Sequence, residues 1–428
     1  MALISPIIFT LVLLLIVKSY KRIVWIFKVN EYGKRLPGPP TQSLIGNVGS
    51  FADKDTIQML DYIVETANEY RGKGEKIMRL QFIGKLLVLP LDGKTAQTML
   101  QSTTELDKGD DYEFPRAWLG RSVLLDGYGE RWKSHRKLVT PTFHFAKLEG
   151  YLEVFNRETK VMIELLENYA TSGETVDLFH YIKRCTLDVI CGTAMGITVD
   201  AQHNPTHPYV EAVEGNETKD WTEEDIREEV DTFMFAGHDT TATSFSWLCW
   251  NLAHNPDIQK KVYEEIIGIF GENPEVDVTS EDLKKLDYTE RVLKESKRRI
   301  APVPVVQRKL RENMEIGGHK IPAGVNVSIS PSIFHCNPEV FPNPETFDPD
   351  RFLPENMDKR NAYDYIPFSA GLRNCVGQKF AQLNEKVLLI HMLRNYRIEP
   401  MLGFMGTRPT MEIVSKPSNG IPVKLIKR

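Results

Sequence analysis

Phe368-Ser369-Ala370-Gly371-Leu372-Arg373-Asn374-Cys375-Val376-Gly377 joins a glycine-bearing loop to a stretch of helical periodicity, Val376 to Tyr396. A cysteine at such a junction lies where helix-start N–H groups and the positive end of a helix dipole favour a thiolate, the form in which sulfur ligates a metal. Gly371 and Gly377 allow backbone to approach a flat group, Phe368 can pack near the sulfur, and the Arg373 fork suits a carboxylate. Together these residue types point to a b-type haem with Cys375 as its axial ligand and Arg373 on a propionate. The bland alternative is a buried structural cysteine, which does not account for the fixed residue types around it. A zinc site is disfavoured because no second cysteine or histidine stands at ligand spacing.

The rest of the chain accommodates such a centre. Its 428 residues are 42% hydrophobic and 26% charged, an ordinary globular balance with no sign of disorder. The formal charge of −5 and the dispersed basic residues exclude nucleic acid as a partner class. The five cysteines, Cys185, Cys191, Cys249, Cys336 and Cys375, are odd in number and show no paired spacing, so a reducing compartment is expected. Asn216-Glu217-Thr218 is then a chance match to a glycosylation sequon. Ala2 to Val17 is uncharged and rich in Ile, Leu and Val, and Lys18, Lys21 and Arg22 follow it. This reads as an uncleaved membrane anchor with the body on the cytosolic side, without the positive start and small-residue cleavage site of a secretory signal.

Three regions follow: an anchor over 1–27, a basic, proline-rich hinge over 28–40, and one domain over 41–428. Leu36-Pro37-Gly38-Pro39-Pro40 breaks the chain because consecutive prolines refuse helix. Hairpins are expected over Lys76 to Leu89 around Gly84, over Met314 to Ile329 around Pro322-Ala323-Gly324, and near Asn419-Gly420. Helical periodicity dominates elsewhere, for example over Leu152 to Tyr169, so the fold class is mainly α with small β-sheets. A capping box, Thr222 with Asp225, opens a helix of about 34 residues that stops at Asn255-Pro256. At 1.5 Å per residue it spans ~50 Å and must cross the whole domain as a buried element.

The Phe-x-x-Gly-x-Arg-x-Cys-x-Gly pattern resembles the haem-ligand signature of the cytochrome P450 superfamily, and from Leu36 onward further motifs occur in that family's order. The resemblance implies the cytochrome P450 fold and these site roles. Glu295 and Arg298, one helical turn apart, would lock onto Arg351 as structural residues behind the haem, where a lone pair at that spacing would be surface decoration. Lys297, Arg299 and Ala301 depart from the apolar residues and proline more common there. Trp132 and Arg136 resemble the propionate-binding pair, with Arg308 as a further partner. Ala236-Gly237-His238-Asp239-Thr240-Thr241, midway along the long helix, brings small residues, Ala236 and Gly237, to the cofactor. Thr240 can donate a hydrogen bond to the oxygen being activated and Asp239 can bring protons in; the alternative is a kinked helix with a buried polar pair. His238 is expected to pack or hydrogen-bond within the helix. Phrases such as Gly129-Glu130-Arg131-Trp132 resemble the fatty-acid-hydroxylating family 4 branch. Many members of that branch carry a glutamate, ester-linked to the haem, at the place of Ala236; Ala236 has no carboxylate, so no ester link is expected.

One departure bears on function. Only about twenty residues separate Asp200-Ala201-Gln202 from the helix at Thr222, where the family places two roof helices and a long loop, so the domain is shortened around 200–221. The remaining pocket walls are expected from Tyr112 to Val123, the small-residue stretch of the long helix, Pro302 to Val306 and the turn over Gly403 to Pro409, leaving Phe235 exposed on the roof side. The resemblance implies a monooxygenase that uses O2 and NADPH electrons, delivered by cytochrome P450 reductase with cytochrome b5 as an additional partner, to hydroxylate an aliphatic C–H bond of a lipid-like substrate at the endoplasmic reticulum membrane. The rival reading is a non-catalytic haem-binding remnant without a pocket roof.

Overall fold

In the computed structural model, described for residues 4–42, 45–127, 129–204 and 224–428, helices carry the architecture. In chain order they and the strands are α1 (Ile4–Gly33), α2 (Thr56–Gly72), β1 (Ile77–Phe82), β2 (Lys85–Pro90), α3 (Glu113–Leu119), α4 (Glu130–Val139), α5 (Phe145–Ser172), β3 (Val176–Asp177) and α6 (Leu178–Ile190). There follow α7 (Glu224–His254), α8 (Asp287–Arg299), β4 (Val306–Lys309), β5 (Met314–Ile316), β6 (His319–Ile321), β7 (Asn326–Ile329), α9 (Gln378–Asn395), β8 (Tyr396–Pro400) and β9 (Pro422–Lys427). Several shorter helices lie between them.

The long helix expected from Thr222 is α7, 31 residues or ~46 Å at 1.5 Å per residue; Thr222 itself lies outside the described residues. Thr241 to Cys249 are buried without interruption, so α7 passes through the core on every face, as its apolar composition requires. Phe245, Trp247 and Leu248 join Phe155 of α5, Ile182 and Val189 of α6 and Leu388 of α9 in the larger of the two main hydrophobic clusters. The smaller is built on a four-stranded sheet of order β1-β2-β7-β4. The β1–β2 hairpin turns at Gly84 as expected, and β4 pairs antiparallel with β7 so that Arg308 stands beside Val327.

Two hairpins differ from the sequence reading. In the Met314 to Ile329 region, β5 turns into β6 at Gly317-Gly318, both at positive φ, and not at Pro322-Ala323-Gly324. A two-residue glycine turn matches strand twist, whereas the proline turn hands the chain on to β7 in a different sheet. Near Asn419-Gly420 only isolated bridges form, and β9 finds its long partner in β8 within the sheet β3-β9-β8.

Helix α1 runs beyond Phe27, so the first part of the expected hinge is helical. Its carboxyl end docks on β1 and β2. Val29 is buried, Trp25 Nε1 donates to the Gly84 carbonyl at 3.1 Å, and Arg79 donates to the carbonyls of Gly33 at 2.8 Å and Pro39 at 2.7 Å. Most side chains of the Ala2 to Val17 run lie outside those described, and among the described residues no helix is long and apolar enough to cross a membrane.

Candidate active site

The loop before α9 is folded by its own backbone. Cys375 N–H donates to the Phe368 carbonyl at 3.0 Å and Asn374 N–H to the Gly371 carbonyl at 3.1 Å. Gly371 sits at φ +71°, and a Cβ there would come 1.9 Å from the Leu100 carbonyl oxygen. Its small size therefore serves packing against the chain after β2, and it does not border the cavity next to Cys375, contrary to the expectation of an approach to a flat ring. Gly377 does border that cavity, but a Cβ there would make only an ordinary 3.7 Å contact with Phe143.

Cys375 opens into a cavity of about 560 Å3 that also touches Phe368, Trp132, Arg136, Arg373, Ala236, Gly237 and Thr240. The residue has exposed surface, yet that surface lines the cavity, and burial is the leading influence on its thiol. Burial pushes the thiol above its usual range, against smaller opposing effects of the Gly377 N–H and the Arg136 charge. The expected help from the helix start is present but outweighed: α9 begins only at Gln378, and desolvation exceeds the effect of the Gly377 N–H. A metal cation would supply what the polypeptide does not, since thiolate ligation displaces the proton.

The residues expected to meet propionates gather in one basic region. Arg136 donates to the Asn374 carbonyl at 3.0 Å and to Asn374 Oδ1 at 2.8 Å, tying α4 to the cysteine loop. Arg373 lies 4.1 Å from the Trp132 ring and donates to the carbonyls of Leu106, Val123 and Asp126, at 3.1, 3.3 and 2.6 Å. Much of its fork is thus spent on backbone. Burial, then the Arg308 charge, lower Arg373 to about 9. Arg308 is buried, donates to the Gln307 carbonyl at 3.0 Å, and stands behind the cavity wall instead of on it. The sequence reading missed Lys108, whose backbone bridges to Arg308 and whose side chain borders the cavity, 4.4 Å from the Tyr112 ring. Burial, followed by the charges of Arg308, Arg373 and Arg136, drives the Lys108 ammonium well below its usual range. Only the pairing of β4 with the Lys108 segment brings this lysine there, and no local motif marks it.

On α7 the structure separates the expected pair. Thr240 borders the cavity and its hydroxyl donates to the Ala236 carbonyl at 2.7 Å. Asp239 is buried away from the cavity, with Oδ2 3.6 Å from Lys416 Nζ and Oδ1 without a hydrogen-bond partner. Lys416 is 37% exposed, so it connects this carboxylate to solvent. The smallness of Gly237 is required chiefly by α6, because a Cβ would fall 2.7 Å from Ile190 Cδ1. His238 is buried with Nδ1 2.6 Å from the Met234 carbonyl, in keeping with a hydrogen-bonded packing role.

Behind the site, Glu295 and Arg298 form a fully buried two-point ion pair, both contacts at 2.7 Å. Arg298 also donates to the carbonyls of His335 and Pro344, and Arg351 Nε stands 3.6 Å from Glu295. The three expected structural residues therefore meet, outside the cavity wall.

The roof side is also corrected in part. Phe235 is half-buried, its ring 5.0 Å from that of Trp118 on α3, and Arg131 of α4 reaches Glu228 of α7 at 3.0 Å. Tyr112, Val123 and Pro302 to Val306 wall the cavity as expected, but the carboxyl-terminal wall is Met411 to Val414. Leu402, just before the Gly403 to Pro409 turn, and Met405 within it are 87% and 100% exposed.

A buried thiol, three clustered arginines and Lys108 in and behind one cavity wall, with small residues of a long helix on another, suit a ring that offers a metal and two carboxylates. The cytochrome P450 family model matches residues 36–221 and 209–424. The chain belongs to the cytochrome P450 family, whose members are haem-thiolate monooxygenases. Among its relatives, cytochrome P450 4V2 of Homo sapiens is 34% identical, covering 87% of this chain and 86% of the relative. Cytochrome P450 4V2 of Mus musculus is 36% identical over 80% of each chain. Cytochrome P450 4c3 of Drosophila melanogaster is 32% identical over 93% of this chain and 90% of its own length. The human alignment runs to 463 residues against 428 here, so the relative carries residues without a counterpart in this chain.

Proposed function

We propose that this monooxygenase hydroxylates an aliphatic C–H bond of a lipid-like substrate, using O2 and electrons delivered from NADPH by a reductase flavoprotein. The observation that carries this reading is the wall of the cavity into which Cys375 opens: Val123, Leu124, Phe143, Phe235, Val303 and Ile413 surround it with apolar side chains. Haem, held by Cys375 with Lys108, Arg136, Arg373 and Trp132 toward its carboxylates, supplies O2 activation when bound. Arg308 contributes from behind them. The chain's own residues then exclude water, orient the substrate and manage protons. Thr240 offers a hydroxyl at the α7 wall once it leaves the Ala236 carbonyl, and Asp239, the preceding residue, holds a carboxylate that Lys416 links to solvent outside the cavity. Ala236 leaves the haem without an ester link. The apolar amino terminus is read as a single-pass anchor at the endoplasmic reticulum, with the domain from 41 onward cytosolic and shortened around 200–221.

A second reading, a haem-binding form with an incompletely closed pocket, is favoured by the two-piece family match that joins at 209–221. Against it stand the direct contacts of α3 and α4 with α7, Trp118–Phe235 and Arg131–Glu228, which close part of that side. Titration of the ferric protein with long-chain fatty acids separates the two. A saturable low-to-high-spin transition supports a water-displacing pocket for a lipid-like substrate; no transition at any concentration, with reducing equivalents lost to hydrogen peroxide, leaves the second reading.

A further inference from the structure

The wall of the cavity into which Cys375 opens also carries a buried pair of opposite charges. Lys297 Nζ of α8 lies 2.6 Å from Glu385 Oε2 of α9, their side chains only 5% and 2% exposed, and both residues border the cavity. Lys297 Nζ also donates to the Leu293 carbonyl at 3.1 Å. The pair forms a seam with Lys386 of α9, which lies 2.8 Å from Glu290 of α8. Thus α8, the helix of the Glu295–Arg298 lock, is ion-paired to α9, the helix that starts three residues after Cys375. The adjoining Asn384 is buried and neither polar atom of its side chain has a hydrogen-bond partner, so its amide does not solvate the pair. With so little exposure to water a unit charge left unbalanced acts at longer range than at the surface, while a matched pair nearly cancels.

We propose that Lys297 and Glu385 are positioning residues that keep a balanced buried charge pair behind the Cys375 loop and thereby set the reduction potential of the haem. The proposal rests on the haem-thiolate reading of the site. Unbalancing the pair shifts the one-electron midpoint potential in opposite directions. Glu385→Gln leaves a cation, which stabilises the reduced, more electron-rich state and raises the potential. Lys297→Met leaves an anion and lowers it. A role in packing alone has no such sign.

The test is spectroelectrochemical titration of the full-length, haem-loaded protein with redox mediators, alongside thermal unfolding. Expected are a rise for Glu385→Gln, a fall for Lys297→Met, a value close to wild type for Lys297→Arg, and a return toward wild type when Glu385→Gln and Lys297→Met are combined. Where a single variant loses haem, its recovery in the double variant supports the same coupling. Shifts of one sign in both single variants, no shift in either, or a double variant as damaged as the singles would overturn the proposal. Failure of the wild-type chain to give a thiolate haem spectrum would instead overturn the reading of Cys375 beneath it.

Discussion

Two glycines in the Cys375 loop make a sharp test of how this site is built. Gly371 stands at φ +71° with the Leu100 carbonyl oxygen 1.9 Å from where a Cβ would be, and that oxygen belongs to backbone that cannot rotate away. Gly371→Ala then incurs the left-handed backbone cost, about 1–2 kcal/mol, and an overpacking cost of about 1–3 kcal/mol. Taken together the loss is on the order of 2–5 kcal/mol. Because Asn374 N–H bonds to the Gly371 carbonyl, the displacement reaches the residue that Arg136 holds, and haem binding weakens with stability. Gly377→Ala is the control. That glycine has φ −86°, and its nearest contact would be 3.7 Å from a side-chain carbon, so a change below about 1 kcal/mol is expected. Denaturant unfolding of the haem-free chain and spectroscopic haem titration read both variants. A stable Gly371→Ala, or a Gly377→Ala that alone loses haem, would refute the packing account and restore the idea that these glycines admit the ring.

Cys375→Ala should abolish the thiolate haem spectrum while a folded fraction persists in circular dichroism, because the loop is held by backbone and Arg136 contacts independent of the sulfur. Thr240→Ala should retain haem but divert NADPH electrons to hydrogen peroxide; unchanged product formed per NADPH would remove Thr240 from proton handling. Mild acid in organic solvent should extract the haem completely, since Ala236 offers no carboxylate, and haem that stays with the chain in denaturing chromatography would contradict this.

The chemistry of the centre was legible because it is written locally. Cys375, Phe368 and Arg373 lie within eight consecutive residues, Glu295 and Arg298 meet through helical spacing, and Trp132 and Arg136 both border the cavity from one helix. What each residue does there was less so. Gly371 and Gly237 owe their size to Leu100 and Ile190, neighbours more than forty residues away in the chain, and the Arg373 fork is occupied by carbonyls of 106, 123 and 126. Asp239 and Thr240, adjacent in sequence, point to different surroundings because successive helical residues are turned about 100° apart.

By itself the sequence pointed to Cys375 as the ligand and determined the family of chemistry, the long helix through the core and the alternation of helix with short strands, since each depends on residue type and near-neighbour spacing. Only the tertiary structure decided that Lys108 joins the basic cluster, that Trp118 and Phe235 meet, that burial raises the Cys375 thiol, and that Lys297 finds Glu385. Those features arise where segments distant in the chain pack together. Desolvation and charge–charge effects depend on that packing in three dimensions, which no local spacing encodes.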